Sequence, residues 1–77
     1  MKYTIVIQWS DEDRCFVVLL PEFQDVMQPV TNGDTYEEAV KNAQEVLELM
    51  IEIYLEEGKP LPEPKTLGQS IPSGVNL

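Results

Sequence analysis

Residues 2–9 alternate in polarity, with Tyr3, Ile5, Ile7 and Trp9 pointing one way and Lys2, Thr4, Val6 and Gln8 the other. A period of two over this length predicts a half-buried strand, with Val6 as the one apolar residue on the polar side. The polar run Ser10-Asp11-Glu12-Asp13-Arg14 predicts a hairpin connection of about five residues. Cys15 to Leu20 is continuously apolar and mostly β-branched or aromatic, and too short for a helix, so it predicts a central strand ended by Pro21. Pro21 to Asp25 reads as a loop and Val26 to Thr31 as a third, weaker strand. Pro29 cannot donate a ladder hydrogen bond, which places that strand at an edge or gives it a bulge. Asn32-Gly33-Asp34 supplies a turn.

The period then changes from two to 3.6. Thr35-Tyr36-Glu37-Glu38 fits a capping box, in which the Thr35 hydroxyl caps the Glu38 N–H and the Glu38 carboxylate reaches back. Asp34, Glu37 and Glu38 also sit at the positive end of the helix dipole. Tyr36, Val40, Ala43, Leu47, Met50 and Tyr54 recur at steps of four and three, with Ala39, Val46, Ile51 and Ile53 beside them. Together they form an apolar arc of about 160°, predicting one amphipathic helix to about Glu57. Gly58 is its predicted C-cap. Lys59-Pro60-Leu61-Pro62-Glu63-Pro64 then forces an extended path, lying across the sheet or pairing briefly as a fourth strand. The fold class is α+β: a three-stranded antiparallel sheet packed against one long helix, β-β-β-α. One domain is expected over residues 1–67, with residues 68–77 as a flexible C-terminal tail.

Seventy-seven residues suffice for a single small domain, and 43% apolar residues suffice to fold it. A domain of this size buries only about 60% of its unfolded surface. Cys15 is the sole cysteine, so no internal disulfide can staple the fold, and oligomerisation or a partner is the expected remedy. Fourteen acids against five bases give a net charge of -9, with no histidine. Such a field repels phosphate backbones and anionic membranes, and it fits a small basic protein. No direct nucleic-acid binding is expected. Neither a cleavable leader nor a run of about 20 apolar residues is visible, and a cytoplasmic location is expected.

Little here supports catalysis. Without histidine there is no Ser-His or Cys-His pair and no histidine-based metal site. Cys15, inside a strand pattern, reads as core. Asp11-Glu12-Asp13 lacks the glycine and terminal Glu of a calcium loop, and nothing places carboxylates from separate elements at one point for two-metal chemistry. No catalytic residue, metal or cofactor is therefore assigned. The candidate partner-binding residues are Asp11, Glu12 and Asp13 in the hairpin and Glu45, Glu48 and Glu52 on the polar helix face, with Leu49 and Leu55 beside them. An apolar centre with a charged rim is how interfaces are built.

The ordered set Gly33-Asp34-Thr35-x-Glu37-Glu38-Ala39, Asn42-Ala43 and Gly58-x-Pro60-Leu61-Pro62-x-Pro64 resembles the HicB-like antitoxin family. Tyr3, Val6, the acidic turn at Asp11 to Asp13, Phe16-Val17-Val18 and Pro21-Glu22 agree with it. The resemblance implies a partial ribonuclease-H-like fold without nuclease activity. It also implies the family role of masking a small basic HicA-type toxin, a ribonuclease that cleaves mRNA. Many members add a C-terminal DNA-binding module; only about 20 residues follow the helix here, so operator binding is not expected. The alternative is a stand-alone homo-oligomer, joined by the C-terminal half of the helix and by the Val26 to Thr31 edge.

Overall fold

The computed structural model describes residues 2–68. Within them the chain runs β1 (Val6–Ser10), β2 (Cys15–Leu19), β3 (Thr31–Gly33) and α1 (Tyr36–Glu57). The strands form one antiparallel sheet in the order β1-β2-β3, so the apolar β2 is central as its composition predicts. Ile7 lies opposite Val18 and Trp9 opposite Phe16, while β3 sets Thr31 against Val18 and Gly33 against Phe16. Residues directly opposite share a face. Ile7, Phe16 and Val18 thus face α1, where Val18 packs on Ala39 and Ala43. Cys15 faces the other way and is buried.

Two strand boundaries differ from the sequence expectation. β1 begins at Val6 instead of Lys2, and upstream of it the Thr4 N–H donates to the Glu22 carboxylate at 3.1 Å instead of joining a ladder. The Leu20 N–H donates to Gln28 Oε1 at 2.9 Å, and Gln28 Nε2 donates to the Leu20 carbonyl at 2.9 Å. A side-chain amide thus occupies the groups with which Leu20 would extend pairing toward β3. The third strand is Thr31–Gly33 instead of Val26 to Thr31, and the residues expected to turn, Asn32 and Gly33, lie inside it. The Val30 N–H reaches the Val18 carbonyl at 2.9 Å, while residues 20–28 follow a compact loop anchored by Gln28. The resulting β3 is an edge strand.

The helix matches its sequence signals closely. Thr35 is extended and its hydroxyl accepts from the Glu38 N–H at 3.1 Å, while Glu38 Oε1 accepts from the Asp34 N–H at 2.7 Å. The reciprocal bond therefore lands one residue before the cap. Gly58 ends the helix in the left-handed region at φ 71°, a conformation costly for a residue with a Cβ. Ala39, Ala43, Leu47 and Tyr54 are buried. Tyr36, Val40 and Ile53, expected within the apolar arc, stand exposed, because the sheet covers only the narrower stripe of Ala39 and Ala43 and the loop after β2 covers that of Leu47 and Tyr54.

The core has a second part that no strand supplies. Leu20 and Phe23 from the loop after β2 pack with Leu47 and Tyr54 of α1. Phe23 lies 5.0 Å from the Tyr3 ring and 5.6 Å, edge-on, from the Tyr54 ring. The proline-rich segment after α1 is extended but forms no strand; it is tied down by side chains instead. The Tyr3 hydroxyl donates to the Pro62 carbonyl at 2.6 Å. Glu22, buried, accepts from the Thr4 N–H at 3.1 Å, the Thr4 hydroxyl at 2.9 Å and the Lys65 N–H at 2.9 Å. The expected tail, apart from Gly68, lies outside the described residues.

Glu22 makes this clamp pH-dependent. Burial pushes its carboxyl pKa upward, but the bonds from Lys65 and Thr4 together outweigh burial and hold it below 4.5. A carboxyl lowered in the folded state contributes stability that is complete above its unfolded value and lost as pH falls through the folded one. Glu22→Gln should cost about 1–3 kcal/mol at pH 7. It should also flatten the loss of stability below pH 4.5. Urea midpoints of both proteins between neutral and acid pH check this; parallel curves would count against the clamp.

Candidate functional site

The eight residues expected to bind a partner occupy two separate surfaces. Asp11, Glu12 and Asp13 project from the hairpin between β1 and β2 and are exposed. The hairpin is ordered by its own side chains: Asp11 Oδ1 accepts from Trp9 Nε1 at 3.0 Å, and Ser10 Oγ accepts from the Asp13 N–H at 3.1 Å. Arg14 closes the turn at φ 59°, its N–H donating to the Ser10 carbonyl at 2.8 Å.

Glu45, Glu48 and Glu52 lie on the exposed face of α1. Leu49 and Leu55 are 55% and 64% exposed, as the pattern implies. At about 100° per residue they flank the acids on opposite sides, about 120° apart, and so do not share one apolar centre. Tyr36, which touches β2, and Glu52 are separated by about 24 Å of helix. The structure therefore does not join the hairpin acids to those of the C-terminal half.

The hairpin acids have another neighbour. Trp9 of β1, Phe16 of β2 and Tyr36 of α1 form a continuous aromatic row. Trp9 and Phe16 lie 5.1 Å apart with rings nearly perpendicular, and Phe16 and Tyr36 lie 4.2 Å apart at 33°. Trp9 is 51% exposed and Tyr36 64%. Periodicity assigns both to inward faces and so conceals them. The available signal was their position: Trp9 near the end of its strand and Tyr36 at the first turn of its helix, where nothing remains to cover an inward side chain.

At the opposite end of α1, Asp25 accepts from the Tyr54 hydroxyl and, at 2.9 Å, from Lys59 Nζ. Lys59 also sits 4.6 Å over the Tyr54 ring. The Tyr54 and Lys59 bonds hold the Asp25 carboxyl below its usual value, and the Asp25 bond raises the Tyr54 hydroxyl. This pins the loop to the helix end. Among the described residues, no three His, Cys, Asp or Glu side chains are grouped to hold a metal ion. No helix there is long and apolar enough to cross a membrane.

Comparison with known proteins gives this architecture a family. The model of the HicB-like antitoxin of bacterial toxin-antitoxin systems matches residues 3–74. Among curated proteins, Antitoxin HicB 1 of Photorhabdus laumondii is 33% identical over 69 residues, covering 90% of this chain and 42% of the relative. Antitoxin HicB 2 of the same organism is 38% identical over 70 residues, covering 91% of this chain and 47% of the relative. The chain thus spans less than half the length of these two relatives. No solved structure matches it at a significant level. With the family match running from residue 3 to residue 74, the chain belongs to the HicB-like antitoxin family.

Proposed function

We propose that this chain is a cytoplasmic, non-catalytic binding module that neutralises a small basic HicA-type mRNA-cleaving toxin by occlusion and charge complementarity. We take its architecture as a partial ribonuclease-H-like domain that uses no metal or cofactor and makes no direct contact with nucleic acid. The observation that carries this is a net charge of -9 without a single histidine, on a domain of an antitoxin family. Complementary fields accelerate encounter and select a basic partner, and they weaken as salt screens them.

Self-association is the second reading, favoured by the exposure of Leu49 and Leu55. It sets two chains of charge -9 against each other, with Glu45, Glu48 and Glu52 beside the contact. A basic partner relieves that repulsion, and a second copy adds to it.

Co-expression with the product of the adjacent gene, followed by size-exclusion chromatography and an mRNA cleavage assay, tests the role. We expect one co-eluting species, suppressed cleavage, and looser association at higher ionic strength. A chain that ignores that product and elutes as a dimer or larger at micromolar concentration would instead support the homo-oligomer.

A further inference from the structure

We infer that the aromatic row Trp9–Phe16–Tyr36, extended by Val40, is the surface on which the toxin partner seats a basic, arginine-bearing segment. This rests on the toxin-masking role proposed above and names the part of the antitoxin that performs it. Isolated exposed apolar side chains are ordinary, but contiguous ones rimmed by polar groups mark interaction sites. Here three rings touch in series across β1, β2 and α1, and Val40 stands one helical turn beyond Tyr36. The Trp9–Asp11 bond holds the indole to the hairpin while half of the side chain stays exposed.

Charge selects the occupant. Asp11, Glu12, Asp13, Asp34, Glu37 and Glu38 lie at this end of the molecule, against two bases, Arg14 in the hairpin and Lys41 beside Val40. An arginine can lie flat on an aromatic face and pair with a neighbouring carboxylate, which a neutral apolar segment cannot do. Anions are not invited by the helix start, because Thr35 and Glu38 already take donors there. A second copy would bring the same six acids against these.

Trp9 is the only tryptophan, so 5-fluorotryptophan places one fluorine reporter in the chain, on this surface. The labelled antitoxin is titrated with the unlabelled product of the adjacent gene. We expect its resonance to shift on complex formation. Trp9→Ala and Tyr36→Ala should each weaken binding about tenfold or more, as interface anchors do. Trp9→Phe should lose less, and Met27→Ala, at an exposed position away from the row, nothing. Circular dichroism verifies that each variant is folded.

An unmoved resonance in a co-eluting complex, with both alanine variants binding normally, would place the toxin elsewhere and leave the antitoxin role standing. A resonance that moves with the chain's own concentration would assign the surface to a second copy and overturn the assignment. Failure to form any complex would remove the masking role and this surface together.

Discussion

Phe23→Ala is expected to remove most of the folding stability of the chain at room temperature. Phe23 is completely buried and joins three parts of the molecule that no strand connects. It meets Tyr3 from the N-terminal segment, Tyr54 near the end of α1, and Leu20 and Leu47 in the same cluster. Truncating a buried Phe costs about 3–5 kcal/mol, from lost transfer energy and the cavity left behind. Small domains sit near the lower end of the 5–15 kcal/mol range of folding stability, so about that amount is most of what this chain has. Urea unfolding followed by near-ultraviolet circular dichroism checks it. A midpoint close to the wild type would mean that the Leu20–Phe23 loop is not part of the cooperative core.

Gly33→Val is the second large effect, from too much volume instead of too little. A Cβ at Gly33 would lie 2.5 Å from the Ala39 nitrogen, 2.8 Å from its Cα and 2.9 Å from the Glu38 carbonyl carbon. These are backbone atoms of the first turns of α1, which cannot rotate aside, so β3 and the helix must separate. Overpacking of this kind costs about 1–3 kcal/mol, and a branched side chain against backbone belongs at the upper end. Gly58→Ala is the internal contrast. Its φ of 71° makes it strained, but nothing lies within 4 Å, so its cost should stay near 1 kcal/mol. Equal losses at the two sites would show that conformational freedom, and not close approach, explains Gly33.

Much of this architecture was legible in the chain. Cys15 to Leu20 read as a central strand, and β2 is one, because a β-branched and aromatic run without proline can donate and accept ladder bonds along both of its edges. Thr35, Glu38 and Gly58 delimited the helix to within a residue, since caps act through bonds three to four residues away. The two outer strands were less legible. Val26 to Thr31 carries strand-like composition, yet Gln28 turns inward to bond Leu20 and Phe23, a contact eight and five residues back that no period records. Lys2 to Ile5 continues the alternation of β1 but has no strand to pair with, and Thr4 bonds Glu22 instead.

The candidate surface divides in the same way. Composition established the acidic charge and the absence of histidine, and one helical period placed Leu49 and Leu55 toward solvent. Register decided that Trp9 stands opposite Phe16. The close seat of Gly33 on Ala39 brings the start of α1 down to β2, and there Tyr36 completes the aromatic row. Local patterns along the chain determined the elements and their charge. Which side chains stand uncovered together was decided only by tertiary packing, because exposure depends on what neighbouring elements cover, and the sheet covers only the Ala39–Ala43 stripe of the helix that rests on it.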